Sequence, residues 1–183
     1  MTQKVGKIYL SHKRVREALH YDKETGWVTW QIVPKHRSGV IKVGTRAGYQ
    51  KKNSNGYRWV TLDNNFVLEH RLIWFWMTGK NALVEIDHKD GDPSNNKWDN
   101  LRLATGSQNQ ANTKVKATNK TGYRGVRVVT TAKRGNFYSV IRYDHKWYNL
   151  GYFDTAKEAH EKYVEAAKKL HGEYYHEMRG SLD

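Results

Sequence analysis

Residues 84–112 read VEIDHKDGDPSNNKWDNLRLATGSQNQAN, and few chain paths satisfy that order. Val84-Glu85-Ile86 alternates as a strand that delivers Asp87 and His88 at its end. Gly91, Asp92, Pro93, Ser94, Asn95 and Asn96 are turn formers, each for its own backbone reason. Leu101-Arg102-Leu103 returns as a second short strand. Thr105, followed three residues later by Gln108, is a capping box that opens a helix. Asn109 and Asn112 lie one turn apart on that helix and share a face. Strand, loop, strand and helix are expected to bring Asp87, His88 and Asn109 together although they are apart in sequence.

Those groups suit phosphodiester cleavage. A carboxylate and an amide carbonyl are hard oxygen ligands, fitted to a Mg²⁺ that keeps several waters and takes further oxygens from a phosphate. An imidazole beside such a cation polarises water, because its pKa lies nearest neutrality. The cation stabilises negative charge on the phosphate and the departing oxygen. Asp87-His88 alone reads equally as an Asp-His turn among solvated asparagines.

The segment from His70-Arg71-Leu72 through Asn112 resembles the HNH (ββα-metal) endonucleases, in particular those of phage and intron-encoded homing nucleases. That subgroup has a His-Arg-Leu helix, then Asp-His-x-Asp-Gly-Asn, then Asn-Leu-Arg, then Asn where other branches carry the last His. The resemblance implies that His88 is the general base and that Asp87 and Asn109 hold one divalent ion, Mg²⁺ or Mn²⁺. It also implies that Asn100 braces the loop between the strands and holds His88 in place. Asp92 departs from the family, where Asn is the more familiar residue.

Composition frames the segment. The 183 residues make one large or two small domains, and 32 Lys plus Arg against 18 Asp plus Glu give a net charge of +14. Such an excess favours an anionic polymer as partner. Residues 1–60 carry 13 basic and 3 acidic groups, residues 61–118 carry 7 of each, and residues 119–183 carry 12 and 8. A neutral core between basic flanks fits flanks that hold DNA. There is no cysteine, which excludes a disulfide framework and a Cys-based zinc ribbon. The longest apolar run, Leu72 to Met77, is too short to span a bilayer. The expectation is an intracellular, cytoplasmic protein (host cytoplasm if phage-encoded), without membrane or small-molecule cofactor, acting as a monomer or weak dimer.

Ser11 caps a short helix to about His20, and Tyr21 to Gly26 is a turn before a strand, Trp27 to Trp30. This Tyr-Asp-x-x-Thr-Gly opening also resembles phage HNH proteins. Residues 31–56 read as a basic loop or weak hairpin. Tyr57 to Leu62 and Phe66 to Leu68 form a hairpin that feeds an apolar helix, Glu69 to Met77, ended near Gly79. His70 reads either as a contact of the metal site or as a core histidine. Residues 113–119 are polar, basic and without periodicity, and read as a linker.

Beyond it, Tyr123 to Val129, Phe137 to Tyr143 and Lys146 to Leu150 read as three strands. Thr155 with Glu158 opens a helix whose stripe is Ala159, Tyr163, Ala166, Ala167 and Leu170, ended by Gly172. Tyr123-Arg124-Gly125-Val126-Arg127, Ile141-Arg142, Leu150-Gly151-Tyr152-Phe153 and Thr155-Ala156-x-Glu158-Ala159 closely resemble the APETALA-type, or ethylene-response-factor, DNA-binding domain. That likeness implies a sheet in the major groove with Arg124, Arg127 and Arg142 as leading contacts and Lys120, Tyr123 and Lys146 beside them. Arginine suits the work because its fork bonds a guanine edge or a phosphate in two places. Val140 and Asn149 depart from the plant pattern, so its target sequence does not transfer.

The expected fold class is α+β: a ββα-metal core with N-terminal β-hairpin elements, plus a C-terminal three-stranded antiparallel sheet packed on one helix. The expected division is a basic region at 1–56, a nuclease core at 57–112, a linker at 113–119 and a DNA-binding domain at 120–177. The function read from this is a metal-dependent, homing-type DNA endonuclease working with double-stranded DNA. Two alternatives stand: a sequence-specific DNA-binding regulator with an inactive core, and an RNA-processing nuclease.

Overall fold

The computed structural model describes residues 7–33, 41–52, 54–113, 115, 118–130 and 136–176. The chain divides into two compact units, the break falling between Ala104 and Thr105. Both mix small antiparallel sheets with helices.

In the first unit, α1 (His12–Ala18) is capped by the Ser11 hydroxyl, which accepts from the Arg14 N–H at 3.1 Å. The sequence expectation carried this helix to His20. The chain leaves it two residues sooner because Leu19, wholly buried, opens β1 (Leu19–Asp22). β1 pairs antiparallel with β2 (Trp27–Trp30). Of the basic stretch 31–56, residues 34–40 and 53 lie outside the described residues. The rest joins the sheet framework through a bridge from Thr29 to Arg46 and a two-residue strand, β3 (Tyr49–Gln50).

β3, β4 (Arg58–Leu62) and β5 (Asn65–Leu68) form a meander. Its tight turn places Asp63 and Asn64 at φ 45° and 63°, a left-handed pair that Asp and Asn tolerate better than other side chains. α2 (Glu69–Thr78) follows without a break and stops at Gly79, whose φ of 70° lets its N–H reach back to the Phe75 carbonyl. Val60, Leu62 and Val67 of the sheet share one core with Leu72, Ile73 and Phe75 of α2 and with Val15, Leu19 and Val28. β6 (Glu85–His88) and β7 (Leu101–Ala104) then form an antiparallel ribbon, anchored in that core by Ile86 and Leu101.

The second unit begins with α3 (Gly106–Ala111), opened by the capping box of Thr105 and Gln108. β8 (Val126–Val128), β9 (Phe137–Tyr143) and β10 (Lys146–Phe153) form an antiparallel sheet in the order β10-β9-β8. α4 (Ala156–His171) packs across all three strands, starting at the Thr155–Glu158 box and stopping at Gly172. Ile141 meets Tyr163, Ala167 and Tyr175 in its core. β8 is shorter than the run Tyr123 to Val129 because Gly125, at φ 74°, turns the chain just before it. A Cβ there would stand 2.0 Å from the Tyr163 ring, so only glycine fits. β10 is longer than its pattern and runs to Phe153 through an irregularity between Asn149 and Gly151.

Candidate active site

Alternation along β6 places Asp87 and His88 at its C-terminal end, opposite Arg102 and Leu101 of β7. Both are buried. A carboxylate in such a place needs a partner, and the cross-strand neighbour supplies it. Arg102 donates from Nε at 2.9 Å and approaches with Nη2 at 2.8 Å, both toward Asp87 Oδ2.

The imidazole of His88 is held at Nε2, 2.9 Å from Oδ1 of Asn96, which is itself 1% exposed. The amide of Asn96 donates in turn to Oε2 of Glu69 at 2.9 Å. Glu69, the first residue of α2, is entirely buried and faces two guanidinium groups, with Arg58 Nε at 3.1 Å and Arg46 Nη2 at 3.9 Å. Burial pushes its carboxyl above the usual range, and the two arginines oppose that. On its other sides His88 meets the rings of His70, 5.1 Å away edge-on, and Tyr57, 6.0 Å away. Desolvation lowers the pKa of His88, against the Asn96 hydrogen bond and the charges of Asp90, Asp87 and Asp92. His70 is driven well below its ordinary value, first by burial and then by the neighbouring His88 and Arg71. Both imidazoles are therefore neutral near pH 7, the state a general base requires.

The loop between β6 and β7 is tied by its own side chains. Asn100 Nδ2 donates to Asp90 Oδ1 at 2.9 Å and to the Asn95 carbonyl at 2.7 Å, while its Oδ1 accepts from the Asp90 N–H at 3.0 Å. The side chain of Asn100 thus braces the loop, and the ring of His88 is held by Asn96. Asp90 is used up structurally, its carboxylate also taking the Asp92 N–H and the Asn95 amide. In the sequence Asn96 is one turn former among several, and Glu69 only the start of an apolar helix. A lone acidic residue on a helix otherwise buried was the available signal for Glu69.

The N-terminal hairpin bears on the same place. Tyr21 Oη donates to the Asn96 carbonyl at 2.8 Å. Gly26, at φ 73°, presses on the Asn96–Lys97 peptide so closely that a Cβ would stand 2.5 Å from Lys97 N. This is the local reason for the Tyr-Asp-x-x-Thr-Gly sequence. Asp22 ties the turn by accepting from the Glu24 N–H and the Thr25 hydroxyl, and the glycine permits the close approach.

Asn109 lies on α3 and is half-buried, its N–H bonded to the Thr105 carbonyl at 2.9 Å. Among the described residues, no group of three or more His, Cys, Asp or Glu is placed to hold a metal ion. The donors named by the sequence, one carboxylate and one carboxamide oxygen, lie outside such a group and suit a hard cation that retains water.

Residues 67–111 match a family model described as HNH endonuclease. The match spans α2, the β6–β7 ribbon and α3, and it supports a nuclease. No curated protein and no solved structure matches the chain.

In the second unit, the face of the sheet turned from α4 carries Arg127, Tyr138, Arg142, Trp147 and Tyr152. The Arg127 and Arg142 guanidinium carbons stand 5.3 and 5.7 Å from the centre of the exposed Trp147 ring. Together with Gln110, Thr113 and Asn119 they border a groove of about 620 Å³. Lys120 and Lys146 are exposed, and Tyr123 packs against His160 at 5.0 Å. Arg124, expected among the DNA contacts, turns to α3 instead. It donates to the carbonyls of Gln110 and Ala111 and to the Thr113 hydroxyl, satisfying groups that a helix C-terminus leaves open.

Proposed function

We propose that the chain is a metal-dependent DNA endonuclease of the HNH type, with His88 as general base. The observation that carries this reading is a buried, neutral imidazole fixed by Asn96 inside the segment that matches the nuclease family. In the proposed reaction His88 takes the proton from the attacking water. Asn100 keeps the loop behind His88 closed, and Arg102 holds the Asp87 carboxylate at the strand end. Asp87 and Asn109 are the ligands that the family likeness assigns to one divalent ion, Mg²⁺ or Mn²⁺. Bound there, that ion would offset charge developing on the phosphate and the leaving oxygen. With one base and one ion per chain, a single copy nicks one strand. The C-terminal sheet is the proposed DNA-positioning face, through Arg127, Arg142, Lys146 and Lys120 and resembling the APETALA-type domain. A free-standing homing role fits the phage-type sequence likeness.

The test is conversion of supercoiled plasmid to open circles by purified protein with Mg²⁺ or Mn²⁺. The expected outcome is nicking by the wild type and none by His88→Ala or Asp87→Ala, both of which should still bind DNA. Variants that nick at the wild-type rate would refute the assignment. The second reading, a DNA-binding regulator with a silent core, draws on the ion pair of Asp87 with Arg102. DNA binding without cleavage under any divalent metal would establish it.

A further inference from the structure

We infer that Asn96 and Glu69 are positioning residues for His88, and that they present Nδ1 of its ring, not Nε2, as the nitrogen that accepts the proton. The inference rests on the nuclease reading above.

Glu69 lies between Arg58 and Arg46, whose nitrogens approach to 3.1 and 3.9 Å. A carboxylate so placed only accepts hydrogen bonds. The atom of Asn96 that meets it at 2.9 Å must therefore be the NH₂ group, since a carbonyl oxygen would face a carboxylate oxygen with no proton between them. With its NH₂ committed, Asn96 turns Oδ1 to His88, and Oδ1 can only accept. Nε2 of His88, 2.9 Å away, must carry the ring proton. In a neutral imidazole the lone pair then resides on Nδ1.

The chain spends much structure on this small relay. Asn96 is 1% exposed and Glu69 fully buried. The backbone of Asn96 is held separately from its side chain, by Tyr21 Oη at 2.8 Å and by the close approach of Gly26. Three distant parts of the sequence thus converge on one amide: the β1–β2 turn, the start of α2 and the β6–β7 loop. A turn asparagine needed only for loop shape would not require its amide oriented by a buried carboxylate, because Asn100 already ties that loop to Asp90 and Asn95.

The decisive measurement is the tautomer of His88 in the full chain, read from ¹⁵N shifts and long-range ¹H–¹⁵N couplings at pH 8, with His88→Gln to assign the signal. A protonated Nε2 and a pyridine-type Nδ1 are expected; the reverse pattern overturns the inference. In parallel, Asn96→Ala and Glu69→Leu are compared with wild type in single-turnover nicking and in DNA affinity. The rate constant should fall roughly tenfold to a hundredfold, a share of the ~10²–10⁴ a general base contributes, with the DNA Kd unchanged. Glu69→Gln, whose carbonyl can still accept from Asn96, should recover most of the rate. Unchanged turnover in Asn96→Ala overturns the positioning role. If Glu69→Leu does not fold, the wild-type tautomer and Asn96→Ala still decide. A wild type that shows the expected tautomer yet never cuts DNA leaves the hydrogen-bond order standing, and the nuclease reading alone falls.

Discussion

Asp87 and Arg102 face each other across the β6–β7 ribbon in little water, so each is the other's main compensation. Removing one partner of a buried pair leaves an uncompensated charge, at a cost of about 3–5 kcal/mol. Arg102→Ala should therefore lower the unfolding free energy of the first unit by that order in urea titrations, whereas Arg102→Lys should lose less. The imidazoles give a second prediction at this scale. His70 and His88 both have pKa values depressed by burial, below the ordinary 6.5. An unfolded chain then binds more protons than the folded one at mildly acid pH, and stability rises with pH across that window. The contribution is whole above about pH 6.5 and is lost as pH falls toward the lowered folded values. The slope approaches about 1.4 kcal/mol per pH unit for each histidine. Thermal melts from pH 8 to pH 5 should show this fall, and His70→Gln should flatten it.

Local signals and tertiary ones part company at the scale of elements. The boxes at Thr105/Gln108 and Thr155/Glu158 were legible because a cap and its partner lie three residues apart, and both are present as read. The limits of β9, read from its β-branched and aromatic run, and the Gly79 and Gly172 stops were legible because those signals are local too. The hold on His88 was not, since Asn96 finds Glu69 27 residues away and Tyr21 75 away, and such pairings leave no periodic trace. Arg124 shows a subtler loss. Its place beside Arg127 marked it as a strand residue, but Gly125 turns the chain before the strand begins and sends the side chain to α3. Arg124→Ala should therefore destabilise the second unit by about 1.5–3 kcal/mol, the range for hydrogen bonds that involve a charged group. DNA affinity at low temperature should change little. A large sequence-specific loss of affinity with no change in melting would instead make Arg124 a base contact.

At the scale of the whole molecule, positive charge is shared. The first unit carries 18 basic and 10 acidic residues and the second 14 and 8, giving +8 and +6. If both meet the same duplex, the counterions released add, and log K falls by about 0.9 per phosphate neutralised for each tenfold rise in salt. The measured slope for the full chain should be steep, and Arg127→Ala with Arg142→Ala should reduce it by about one to two. A flat dependence would contradict a nucleic-acid partner of any kind. No helix among the described residues is long and apolar enough to cross a membrane.

The support of α3 by Arg124 has an engineering corollary. The short helix that bears Asn109 takes part of its C-terminal hydrogen bonding, at the Gln110 and Ala111 carbonyls, from Arg124, a residue beyond the stretch matched to the nuclease family. A fragment trimmed to that stretch would keep every motif residue and still lose the prop beneath one of them. A C-terminal graft that removed Arg124 would meet the same obstacle unless it brought its own donor to the Ala111 carbonyl. The end of the family-matched stretch is therefore not the end of what holds α3 in place.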